Sequence, residues 1–153
     1  DFAESAGFAG SAGPAGAPAA APVAPVTLQL TIVSGHYLPK PYDSTRGEII
    51  DPFVFIPVAG AEADMTDAKT RTVSDNGFDP EWTETFEFRI TEPDIAVLLF
   101  AVYDEDVAVS DDFVGQYALP VSCLRRGFRC VPLKRANGTP HDWAYLFCKI
   151  EMT

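Results

Sequence analysis

The chain has 153 residues, 47% of them apolar, and a formal net charge of −11. That length suffices for one domain with a sizeable core. The negative charge excludes nonspecific nucleic-acid binding, and it would repel an anionic membrane unless it were cancelled locally. Three cysteines, Cys123, Cys130 and Cys148, show no tight spacing. They argue against a disulfide framework or a zinc site and for a reducing compartment. No apolar run reaches the length of a membrane span. With no starting Met and no signal-peptide pattern, the chain reads as an excised fragment.

Residues 1–25 are Ala, Gly and Pro with little else, and read as a linker or tail without a core of its own. From Val26, apolar and polar residues alternate through Ile32, which predicts a half-buried strand ended by Ser34-Gly35. His36 to Ile50 is a long loop. A second strand covers Phe53 to Val58. Residues 60–67 read as an exposed turn, and Lys69 to Val73 as a short strand. Ser74 to Glu81 is a loop rich in Asn, Gly, Asp and Pro. Thr83 to Ile90 alternates strictly, with Phe86, Phe88 and Ile90 inward. Ile95 to Tyr103 is nearly all apolar and predicts a central strand. Phe113 to Leu119 predicts another, and Pro120 to Arg126 one helical turn closing at Gly127. Phe128 to Leu133 is short and extended. The last strand alternates Trp143, Tyr145, Phe147 and Lys149 with Ala144, Leu146, Cys148 and Ile150. Trp82 and Trp143 read as core or sheet-packing residues. Eight short strands at regular spacing, with no long helix, predict an all-β, eight-stranded antiparallel β-sandwich.

The segment between two of these strands carries the densest chemistry. Asp104, Glu105, Asp106, Asp111 and Asp112 place five acids within nine residues. Two such charges about 5 Å apart repel by roughly 3 kcal/mol at an effective dielectric near 20. A hard cation with oxygen ligands offsets that repulsion. Asp104 and Asp106 have the i, i+2 spacing that points two side chains the same way on extended backbone. Alternate loops of a sandwich emerge at one end, so Asp43, Glu48 and Asp51 of the first loop can meet Asp104, Asp106 and Asp112. Val107-Ala108-Val109 lies at the tip and predicts exposed apolar side chains suited to shallow insertion into a bilayer. The alternative is that they fold back on Tyr42 or Ile50. His36 and His141 match no nucleophilic pattern. A carboxylate-lined two-metal hydrolase would need a cleft and a base that the sequence does not show.

From Val26 onward the chain resembles a C2 domain, and more narrowly the C2 domain of a phosphoinositide-specific phospholipase C of the delta-like type. The matching pieces are Ser34-Gly35-His36-Tyr37-Leu38-Pro39, Asp51-Pro52-Phe53-Val54, Asn76-Gly77-Phe78-Asp79-Pro80-Glu81-Trp82, Glu87-Phe88, Asp104-Glu105-Asp106, Asp112-Phe113-Val114-Gly115 and Arg126-Gly127-Phe128-Arg129. They fall in the family's order. The resemblance implies a C2 domain over residues 26–153 and calcium as the cofactor. It places the calcium ligands at Asp51, Asp104, Asp106 and Asp112, with Asp43 as the first-loop ligand. It implies a noncatalytic module that docks on an anionic phospholipid membrane through Val107, Ala108 and Val109 and brings the catalytic barrel of a parent enzyme to membrane phosphoinositides. Its location would be cytoplasmic, and peripheral to the membrane once calcium binds. The other reading is a calcium-independent C2 scaffold packed against the catalytic domain. Lys69, Arg71, Arg125, Arg126, Arg129, Lys134 and Arg135 are either a basic face for phosphoinositide headgroups or scattered solvated charge.

Overall fold

The computed structural model describes residue 21 and residues 23–153, so nearly all of the proposed tail lies outside the described residues. The described chain forms β1 (Val26–His36), β2 (Pro52–Ala59), β3 (Thr66–Lys69), β4 (Glu81–Ile90), β5 (Val97–Asp104), β6 (Asp112–Pro120), β7 (Gly127–Lys134) and β8 (Pro140–Met152). All neighbours pair antiparallel, in the order β3-β2-β5-β6-β7-β8-β1-β4. Between β6 and β7 only Gln116 and Lys134 pair, so the sheet folds there into two four-stranded halves. This is the β-sandwich that the strand pattern predicts.

Period-two alternation builds the core. Leu28, Leu30 and Ile32 of β1, Val54, Ile56 and Val58 of β2, and Leu98, Phe100 and Val102 of β5 are all buried. Phe88 and Ile90 of β4 join them, with Leu146, Cys148 and Ile150 of β8. Fully burying an aliphatic side chain of this size contributes about 1.5–3 kcal/mol. Burial also pushes the Cys148 thiol up to about 12, which leaves it a small core hydrophobe. The predicted helical turn is present as a 3₁₀ turn at Val121–Cys123.

Three expectations need correction. The third strand lies at Thr66–Lys69, not 69–73, because it pairs along Phe55 to Val58 of β2. Residues 60–67 are not simply an exposed turn. Glu62–Asp64 is a 3₁₀ turn, and Asp64 is only 2% exposed. Its carboxylate accepts from the Thr91 N–H and hydroxyl, both at 2.7 Å, and from the Glu92 N–H at 2.9 Å. Trp82 is buried, as expected, and its indole N–H donates to the Arg71 carbonyl. Trp143 is 76% exposed on the outward face of β8, because the buried face is taken by Ala144, Leu146 and Cys148.

Candidate functional site

One end of the sandwich gathers the acids. Asp51 immediately precedes β2, Asp104 ends β5 and Asp112 opens β6. Pro52 pairs with Asp104, and Asp104 with Asp112, so their carboxylates crowd neighbouring strand ends. Like charges opposite one another across a sheet are destabilising. Asp51, Asp104, Asp106 and Asp112 line one cleft of about 580 Å³, together with Lys40, Tyr42, Ser44, Glu48 and Ala108.

The 74–82 loop braces this mouth. The Asn76 side chain accepts from the N–H groups of Phe78 and Asp79, closing a tight turn. The Leu38 N–H donates to the Gly77 carbonyl and the Tyr37 N–H to the Phe78 carbonyl. A Cβ at Gly77 would lie 2.8 Å from Ile50 Cγ1, so only glycine lets the two loops approach this closely. The brace ends on the site itself, where the Asp75 N–H donates to Asp51 Oδ1 at 2.6 Å.

The acids differ in how they are satisfied. Asp104 Oδ1 accepts from the Asp51 N–H at 2.7 Å. Burial, the larger effect, together with the charges of Asp51, Asp112 and Asp106, pushes the Asp104 carboxyl above its usual range against that single donor. Asp106 Oδ1 accepts from the N–H groups of Ala108 and Val109 and so shapes its own loop. Asp111 accepts from the Asp106 N–H, and Glu105 turns to Lys69 at 3.5 Å. Neither holds a position that the resemblance assigns to a calcium ligand, and Glu105 still lines the cleft. Val107, 99% exposed, and Val109 are solvent-facing, Ala108 is exposed beside them, and Val107 and Ala108 line the rim of the cleft opposite the first loop.

Asp43 does not join the other four. Its Oδ2 accepts from Arg135 Nε at 2.9 Å, and this hydrogen bond holds its carboxyl below the usual range. Tyr42 and Asp43 adopt left-handed backbone, with φ of 57° and 52°. Such conformations cost non-glycine residues roughly 1 kcal/mol or more each. Sequence reasoning missed both Arg135, 92 positions away, and Asp64; no local signal marks either contact.

The donor set is all oxygen and strongly negative, which fits a hard cation. As they stand, no three His, Cys, Asp or Glu side chains among the described residues converge tightly enough to hold a metal ion. Of the basic residues, Lys69, Arg71 and Arg135 each pair with an acid, whereas Arg125, Arg126 and Arg129 lie close together at the start of β7, with the Arg129 guanidinium donating to the Arg126 and Phe128 carbonyls. The ring of His36 stacks on Tyr145 and hydrogen-bonds Ser34, a structural role. Among the described residues, no helix is long and apolar enough to cross a membrane.

An antiparallel eight-stranded sandwich whose loops crowd carboxylates at one end is a scaffold that presents a loop-borne binding mouth. The C2 domain family model matches residues 26–134, and the chain belongs to that family. It is 39% identical over 127 residues to inactive phospholipase C-like protein 2 of Mus musculus, an alignment covering 82% of this chain and 11% of that protein. It is 38% identical over 128 residues to 1-phosphatidylinositol 4,5-bisphosphate phosphodiesterase delta-4 of Xenopus laevis, covering 84% and 17%. The crystal structure of S. officinalis PLC21 superposes with a TM-score of 0.74 at 27% identity, covering 86% of this chain and 16% of that one. The chain thus spans less than a fifth of the length of each relative it matches here, and the delta-type resemblance seen in the motifs agrees with these relatives.

Proposed function

We propose that this C2 domain is a calcium-dependent docking module for anionic phospholipid surfaces, itself noncatalytic, carried by a phospholipase C-type parent. The observation that supports it best is a juxtaposition. Six acids line one cleft, Asp51, Asp104, Asp106 and Asp112 with Glu48 and Glu105 beside them, and a valine 99% exposed stands on its rim. Asp51, Asp104, Asp106 and Asp112 would hold the cation. Each of the hydrogen bonds at Asp51, Asp104 and Asp106 uses Oδ1, so a second oxygen is left for coordination. Bound calcium supplies positive charge and takes roughly six to eight oxygen ligands. The residues themselves do the rest. The acids repel an anionic leaflet at about 1 kcal/mol each while uncompensated. Once they are compensated, Val107, Ala108 and Val109 can enter the interface. In the parent, the module would bring a catalytic barrel to membrane phosphoinositides, at the cytoplasmic surface.

A second reading is a calcium-independent scaffold packed on the catalytic domain. It is favoured by the incomplete convergence of the acids and by the backbone donors that already occupy Asp51, Asp104 and Asp106. Calorimetric titration of calcium into the domain separates the two. Saturable heat of binding is expected under the first reading, and none under the second.

A further inference from the structure

Asp43 faces away from the cleft that its neighbours in the chain line. Ser44 lines the acidic cleft and Tyr42 borders both, whereas Asp43 lines only an adjoining cavity of about 360 Å³ with Phe113, Val114, Arg135 and His141. The groups that hold it there are fixed by other contacts. Arg135 opens a tight turn in which its N–H donates to the Thr139 carbonyl and its own carbonyl accepts from the Gly138 N–H. Its guanidinium also donates to the Pro140 carbonyl. The His141 side chain is 7% exposed, its Nε2 is 3.0 Å from the Val114 carbonyl oxygen, and its Nδ1 is 3.8 Å from Asp43 Oδ1. Arg135 and His141 are therefore a prebuilt clamp, and the first loop comes to it on left-handed backbone at residues 42 and 43.

We propose that Arg135, with His141 beside it, is an internal competitor that keeps Asp43 out of the acidic cleft, and that cation binding draws Asp43 across to complete the ligand set. This rests on the reading that the cleft takes calcium. Without a cation, moving Asp43 inward adds one more carboxylate to a repelling set and strips Arg135 of its partner. With a cation, the same move adds an attractive ligand. The clamp thus sets the calcium threshold, because apparent affinity falls in proportion to the fraction of molecules in the competent state. Arg135 and Asp43 are both partly exposed, so the ion pair between them is modest.

The test is calorimetric titration of calcium chloride into the parent chain, Arg135→Gln, Asp43→Asn and the double variant. Arg135→Gln should tighten calcium binding by about two- to fivefold. In the Asp43→Asn background the same change should shift affinity by less than about 1.5-fold, because there is no carboxylate left to release. Arg135→Lys, which keeps the charge without the Nε donor, should move affinity in the same direction by less. Unchanged affinity in Arg135→Gln overturns the clamp. So does equal tightening with and without Asp43, which would be a long-range charge effect. If neither the parent nor Arg135→Gln binds calcium, the calcium reading fails along with the clamp. If the parent binds and Arg135→Gln matches it, the clamp alone fails.

Discussion

Asp64 and Asp104 sit at opposite ends of the sandwich, and their carboxyls respond to it in opposite directions. Asp64 is the more deeply buried, yet its carboxyl is held below the usual range, chiefly by the Thr91 N–H and hydroxyl. Asp104 is less buried, yet its carboxyl is pushed up, by burial first and then by neighbouring acids. Burial raises both carboxyls; the number of donors that oppose it decides the sign, and like charges add to the rise at Asp104. Three donors make Asp64 a fastener between the Glu62–Asp64 turn and the end of β4. One donor and three acidic neighbours leave Asp104 as charge that the fold does not neutralise by itself, and such a place is where a cationic ligand is expected.

This contrast can be broken or sharpened by experiment. The largest effect is expected from Asp104→Asn with Asp106→Asn, which should weaken calcium binding beyond about a hundredfold while leaving the fold intact. A double variant that titrates like the parent would place the site elsewhere. Next, Val107→Ser with Val109→Ser removes apolar burial worth about 3 kcal/mol in total, at the low end of about 1.5 kcal/mol for each valine. It should weaken calcium-dependent vesicle binding well over tenfold and leave calcium affinity in solution unchanged. Unaltered vesicle binding would mean that docking is purely ionic.

Calcium at about 100 times its dissociation constant should stabilise the domain by roughly 2.7 kcal/mol. Magnesium should do less, because it dehydrates reluctantly. Equal shifts in thermal melts would argue against a calcium-selective site. At the other end, Asp64→Ala strands buried donors and should lower the melting temperature by about 5 °C or more, with or without calcium.

The smallest effect is the pH response in chelator. Asp64, with its lowered folded value, contributes stability that is present above the ordinary carboxylate range and lost as pH falls through the folded value. Asp104, with its raised value, does the reverse: the folded state takes up a proton first, so stability rises as pH falls from neutrality toward the carboxylate range. Asp104→Asn should therefore melt about 1–3 °C higher than the parent at pH 7 in chelator, a gap that closes on acidification. A lower melting temperature would show Asp104 to be a fastener like Asp64.

Much of this was legible in the sequence. The alternation in β1 and β4 predicts the buried faces, and the i, i+2 acids predict the crowded end. What the sequence hid has physical reasons. Thr66–Lys69 is a polar edge strand whose place is set by the open side of β2, not by a pattern of its own. Both faces of β8 carry large apolar residues, so periodicity could not assign Trp143 to solvent. Asp64 and Asp43 owe their states to Thr91 and Arg135, 27 and 92 positions away, and no local spacing encodes contacts of that separation.

The central claim is that uncompensated charge at the mouth becomes a membrane contact only when a cation fills it. Sedimentation of the 153-residue chain with vesicles of mixed neutral and anionic phospholipid, in calcium and in chelator, tests it most directly. The account predicts that the chain pellets with vesicles in calcium and stays in the supernatant in chelator. Equal pelleting in both conditions, or none in either, would contradict it.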